Sequence, residues 1–141
     1  MPNQDLKQVN YRVSVTKRAR KQGEKLKVSN RTKLEIIKEL KQLKYWSVNE
    51  EDFEYESAFG AIEFKFDVEG KWVRVFVFQD DYRKTMWVIK VLDKKQNDLK
   101  KYDQIGIETA VSALKREVLA QKKIDNKESS KKKTGLNIVK K

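Results

Sequence analysis

Three runs in the second half of the chain, Ala61–Phe66, Lys71–Phe78 and Thr85–Leu92, are apolar with single cations set among them. Side chains in a strand alternate between faces, so each run reads as a strand with its charge on a defined side. Gly70 marks the turn between the first two, and the second turn falls within Gln79–Lys84. Two short links between alternating runs predict an antiparallel three-stranded meander. Upstream, Tyr11, Val13 and Val15 alternate with polar residues and predict a short half-buried strand. The basic segment Thr16–Lys27 reads as a solvated helix, with Gly23 counting against its continuity. Thr32 and Glu35 fit a capping box ahead of Ile36, Ile37, Leu40 and Leu43, which predicts a helix over about 31–44 closed by Tyr45 and Trp46. Ile107, Ala110, Val111, Leu114 and Val118 recur at helical spacing and predict a last helix over about 106–121.

These elements predict a small α+β fold: an antiparallel sheet, made of the N-terminal strand and the meander, with helices on one face and a C-terminal helix. In the middle strand Val73, Val75 and Val77 form one face and Trp72, Arg74, Phe76 and Phe78 the other. The β-branched face is assigned to the helices, which leaves Arg74 among aromatics on a face read as open. Residues 1–122 are read as one domain and residues 123–141 as a flexible basic tail.

Composition narrows the chemistry. The 141 residues carry 33 Lys and Arg against 21 Asp and Glu, a net charge of +12, which favours a polyanionic partner. From Lys122 onward eight Lys face two acids, net +6, so the other +6 (12 − 6) belongs to the preceding residues. With no Cys and no His, disulfides and the usual zinc ligand sets are excluded, and no cofactor is expected. No apolar segment approaches the ~20 residues needed to span a bilayer and none forms a signal-peptide core, so a cytoplasmic protein without a membrane partner is expected.

The cations within the strands are Lys65, Arg74 and Lys90. Cleavage of RNA by its own 2′-OH needs a proton acceptor, a proton donor and cations on the pentacoordinate phosphate, but no metal. Histidine pairs suit proton transfer near neutrality, and this chain has none. A lysine serves as a base only where burial or neighbouring cations bring it several units below ~10.4. Arg74 suits phosphate through its planar fork, as transition-state stabiliser, with Lys90 or Lys65 as the proton-transfer group. Glu63 is a further base, although it shares strand parity with Lys65 and a contact between those two is the plainer reading. Lys94, Lys95, Lys100 and Lys101 read as phosphate contacts or as a solvated basic loop, and Tyr102 as a base-stacking or a packing residue.

In order, these segments resemble the RelE/HigB superfamily of toxins from bacterial type II toxin–antitoxin systems, and within it the phage-derived HigB-like branch. AIEFKF matches the family's aliphatic-x-Glu-aliphatic-Arg strand, with Lys65 where Arg is usual. WVRVFVF matches the Arg-bearing strand through Arg74, and WVIKVLDKKQNDL the next, with Lys90 where His is common. Lys94 and Lys95 fall on the family's loop lysines, and IGIETAVSALKRE is similar to its closing helix. The likeness covers about residues 11–120. It implies a RelE-like fold and a metal-independent endoribonuclease, an mRNA interferase, acting on mRNA at the ribosome and inhibited by a cognate antitoxin. The missing His and the Lys at position 65 favour the alternative, a non-catalytic RNA- or antitoxin-binding phage protein on the same fold. Some relatives poison gyrase instead, which gives a third reading.

Overall fold

A computed structural model describes residues 8–46, 53–94 and 100–140. The chain divides into two compact units, Met1–Val111 and Ser112–Lys141. The first unit is built on a five-stranded sheet: β1 (Arg12–Val15), β2 (Glu56–Ala58), β3 (Ala61–Val68), β4 (Lys71–Asp80) and β5 (Thr85–Lys94), in the spatial order β1-β5-β4-β3-β2. Helices α1 (Lys17–Glu24) and α2 (Asn30–Lys41) lie between β1 and β2 in sequence, and α2 runs on into a 3-10 turn, Gln42–Tyr45. Helix α3 (Lys101–Lys140) starts in the first unit and supplies the second. The architecture is α+β, as expected.

The meander forms as its alternation requires. Strands β3, β4 and β5 pair antiparallel in sequence order. Glu69 and Gly70 both hold positive φ, at 50° and 75°, between the paired residues Val68 and Lys71, a two-residue turn whose twist matches the strands it joins. Phe59 and Gly60, at 55° and 82°, repeat that geometry between Ala58 and Ala61 and create β2, a short edge strand absent from the sequence expectation. The sheet is mixed rather than wholly antiparallel, because β1 runs parallel to β5 with Val13 opposite Met86 and Val15 opposite Val88. The α1–α2 connection that follows β1 makes this possible, since β1 does not have to hairpin into its neighbour.

One face of the sheet carries the main core. Val73, Val75, Val77, Phe64, Met86 and Val88 are buried there against Ala19 of α1, Ile36 of α2, Leu43 and Trp46. The β-branched face of β4 therefore meets the helices, as its composition predicts. Trp46 also sits within 5.0–6.1 Å, ring centre to ring centre, of Tyr55, Phe53 and Phe64, and donates its indole N–H to Gln79 at 3.0 Å. Burying the ring while pairing its one donor removes the cost that an unpaired indole N–H would carry.

The helix ends differ from expectation. Helix α2 is capped by Ser29, whose hydroxyl accepts from Thr32 N at 3.2 Å, so Thr32 lies in the first turn rather than at the cap. Its regular part ends at Lys41, and the 3-10 turn carries Leu43 inward. Helix α1, capped by Thr16, continues through Gly23. Helix α3 begins at Lys101, one turn before the expected start, and its backbone stays helical to Lys140 through the residues read as a tail. Among the described residues no helix is long and apolar enough to cross a membrane.

The β3–β4 turn is fastened to the start of α2. Glu69 accepts from Thr32 Oγ1 at 2.5 Å and from Ser29 Oγ and N at 2.8 and 3.0 Å. The bonds from Thr32 and Ser29 hold its carboxyl below the ordinary 4.5. A carboxyl lowered in the folded state stabilises fully above its unfolded value, and that contribution is lost as pH falls through the folded value. Glu69→Gln is therefore expected to lower the melting temperature near neutrality and to flatten its fall below pH 4.5. Thermal melts from pH 7 to 3 check this; parallel acid limbs for the two proteins would refute it.

Candidate functional site

Opposite the main core, the second face of β3–β5 collects the charged positions. Register places Glu63 beside Phe76 and Phe76 beside Lys90, then Lys65 beside Arg74 and Arg74 beside Leu92, then Asp67 beside Trp72 and Trp72 beside Lys94. The three strand cations, Lys65, Arg74 and Lys90, thus share one face. Lys90 reaches it through an irregularity. Phe76 pairs with Lys90 and the next residue, Val77, with Val88, so Ile89 is an extra residue on β5. Strict alternation from Val88 would send Lys90 into the apolar core. The extra residue turns its ammonium to the other side, as β-bulges do.

The face is covered, in contrast to the open face expected. Phe76 is fully buried, Phe78 and Ile89 nearly so, and Glu63, Arg74 and Lys90 are buried among them. The cover is the first part of α3. Ile107 and Val111 are buried. Val111 lies against the backbone of Gly60, where a Cβ would approach its Cγ1 to 3.2 Å. Gly106 faces the Lys90 ammonium, which would stand 3.3 Å from a Cβ at that position.

Each cation meets a carboxylate. Arg74 donates through Nε to Glu63, with both side chains almost wholly buried, and its guanidinium carbon lies 5.9 Å from the centre of the Phe76 ring. Lys90 Nζ lies 3.7 Å from Asp103 in the first turn of α3. Lys65 is the accessible one, 30 % exposed along its side chain, 3.7 Å from Glu56 on β2 and 5.1 Å from the centre of the Trp72 ring. The partner of Glu63 is thus Arg74 on the neighbouring strand, and not the Lys65 read from parity.

The outlying positions separate from this face. Lys94 closes β5 opposite Trp72, and Lys95 lies outside the described residues. Lys100, Lys101 and Tyr102 are exposed at the start of α3, with Lys100 Nζ 6.0 Å from the Tyr102 ring centre. The carbonyl of Lys100 accepts from Asp103 N and Gln104 N, so two lysines stand at the positive end of a helix dipole. That placement is unfavourable in the free chain and is relieved by an anion.

Asp103 and Glu56 were missed by the sequence reading. For Asp103 a signal was present: carried back one turn, the apolar stripe of Ile107 and Val111 puts residue 103 on the buried face. A carboxylate there requires a cation opposite, and Lys90 is that cation. For Glu56 there was none, since its strand exists only through the Phe59–Gly60 turn. Among the described residues no group of Asp and Glu could hold a metal ion. Compared with known proteins, the chain matches no family model and no curated protein.

Proposed function

We propose that the chain is an RNA-directed toxin of the RelE/HigB kind, a metal-independent endoribonuclease that acts on mRNA at the ribosome and is held in check by an antitoxin. The observation that carries this reading is the placement of Lys65, Arg74 and Lys90 on one sheet face. Exposed Lys100, Lys101 and Tyr102 adjoin Asp103, the counterion of Lys90. In this scheme Lys65, Lys100 and Lys101 meet the RNA backbone first and Tyr102 stacks on a base. Once the first turns of α3 move aside, Arg74 exchanges the Glu63 carboxylate for a phosphate oxygen, which suits its fork; Glu63 so released accepts the 2′-OH proton, and the Lys65 ammonium gives a proton to the leaving 5′-oxygen. The ribosome supplies orientation, which alone contributes ~7–11 kcal/mol in favourable cases.

A second reading has its own support. Arg74 and Lys90 are buried and carboxylate-paired, as structural ion pairs are, which favours a non-catalytic RNA- or antitoxin-binding protein. Primer extension on a reporter mRNA during induced expression separates the two. Wild type is compared with Lys65→Ala and with Lys100→Glu/Lys101→Glu, whose side chains are accessible enough to leave the fold intact. Codon-spaced breaks in the wild type, reduced at least tenfold in the double variant, are the expected result. Intact mRNA at good protein levels would sink the nuclease, and RNA affinity falling steeply with salt would then identify the binding protein. Growth arrest with a DNA-damage response and unbroken mRNA would point to gyrase.

A further inference from the structure

A second feature lies on the opposite side of the sheet. Between α1, α2 and the sheet runs a cavity of about 310 Å³, walled almost entirely by carbon, with Val75, Val88 and Val91 as its floor and Ile36, Ile37 and Leu40 along one side. Protein interiors are close-packed, and a void of this size between two helices and a sheet is at the scale of a ligand pocket. It is open because α1 presents Ala19 and Gly23, one turn apart, toward it. Gly23 has no backbone reason to be glycine: it sits within the helix, its φ is not positive, and a Cβ there would meet nothing within 4 Å. Glycine at such a position costs about 1 kcal/mol relative to alanine. What it preserves is the space.

The surroundings define the guest. Apolar side chains continue outward from the cavity: Val15 and Ile37 line it yet remain 39 % and 45 % exposed, and Leu34, one turn before Ile37, is 66 % exposed. Arg20 and Lys33 stand at the rim with one acid, Glu24, and Lys17, Arg18 and Lys21 are exposed on α1, so five cations face that single carboxylate. Among the described residues none of these five cations forms an ion pair; Lys33 instead donates to the Glu24 carbonyl at 2.9 Å. RNA would satisfy the cations and leave the carbon-lined floor wet. A single acyl chain would fill the cavity and leave the strip along α2 bare.

We propose that this groove is a docking site for an acidic, apolar-anchored peptide segment of a partner protein. Leu, Ile or Val side chains at helical or extended spacing enter the cavity and the strip, and flanking Asp and Glu meet Arg20 and Lys33. Burial of a few anchors carries such interfaces, and the rim charges raise the association rate and select the partner. The site is independent of RNA cleavage, because it lies on the other face of the sheet from Lys65 and Arg74.

The test is selection of a displayed random 16-residue peptide library on the full chain, with enriched peptides then titrated against variants by fluorescence anisotropy. Peptides rich in Leu, Ile or Val and in Asp or Glu are expected to emerge. Gly23→Leu, which fills the groove, should weaken them at least tenfold without lowering the melting temperature, and Lys33→Glu should weaken them severalfold. Failure to enrich any such family would overturn the proposal, as would binding indifferent to both variants. Titration with decanoate, followed by amide chemical shifts at Val15, Ile37 and Leu40, separates the lipid source: decanoate filling the groove with no peptide enriched would also overturn it.

Discussion

Arg74→Met is expected to destabilise the protein by about 3–5 kcal/mol, a fall in melting temperature of roughly 10–20 °C at this chain length. The cause is what remains. Glu63 is 3 % exposed, lies beside Phe76 in the sheet and has its Oε2 bonded to Arg74 Nε. Removing the guanidinium leaves a buried carboxylate beside Phe76, where solvation cannot replace it. Glu63→Leu alone should also destabilise, because it removes the carboxylate that accepts from Arg74 Nε. The double variant Glu63→Leu/Arg74→Met should recover most of the loss, because a buried ion pair exchanged for apolar side chains of similar volume is often neutral or stabilising. Urea unfolding of the four proteins closes the cycle. Additive losses in the double variant would mean that the two residues act separately and that the buried pair does not govern this face. The same energetics bear on function. Under the proposed function, loss of activity in an Arg74→Ala protein would follow from unfolding as readily as from lost phosphate contact, so accessible Lys65, Lys100 and Lys101 are the informative positions for an assay.

The strands of the meander, its Gly70 turn and the helix-facing valines of β4 follow from alternation within single runs, which is local information, whereas the shared face of Lys65 and Arg74 needs the β3–β4 register as well. What escaped depends on pairing between distant segments. The partnership of Glu63 with Arg74 rather than Lys65 is a cross-strand diagonal, and a count along one strand cannot choose it. The parallel placement of β1 depends on the α1–α2 excursion fitting over β5. There, Gln22 Oε1 accepts the Val91 N–H at 2.9 Å, beyond the reach of β1. The bulge at Ile89 is legible only afterwards: a lysine three residues beyond Trp87 shares its face only if one residue is extra. The covered second face was misjudged because the start of α3 was placed at Gly106, past the carboxylate that anchors it. Two of the cations that made the face attractive as an RNA site, Arg74 and Lys90, are the ones the fold buries against carboxylates, while Lys65 and the lysines at the start of α3 remain accessible.

Lys90→Met should cost about 2–3 kcal/mol and, unlike Arg74→Met, should act first on one element. Asp103 is 1 % exposed and sits in the first turn of α3, where the helix dipole and free N–H groups favour a negative charge. That partial compensation, and the looser 3.7 Å approach of Lys90, make the loss of this contact less costly than the loss of the Glu63–Arg74 pair. Asp103→Asn in the native background should cost a comparable amount, since it leaves the ammonium buried beside Gly106. The contact joins α3 to β5 at the bulge, so its loss should release residues 101–111 before the sheet opens. Amide exchange is then expected to speed up at Ile107 and Val111 by tenfold or more while Val75 and Val77 in β4 keep their native protection until global unfolding. Uniform acceleration across α3 and β4 would show that the helix start and the sheet open as one cooperative unit and that Lys90 has no separate clamping role. A Lys90→Met/Asp103→Leu protein regaining slow exchange at Ile107 would place the effect in the buried Asp103 charge once its Lys90 contact is gone. On that outcome the apolar contacts of Ile107 and Val111 hold the helix over the face, and the ion pair serves to choose which turn of α3 lies against the bulge.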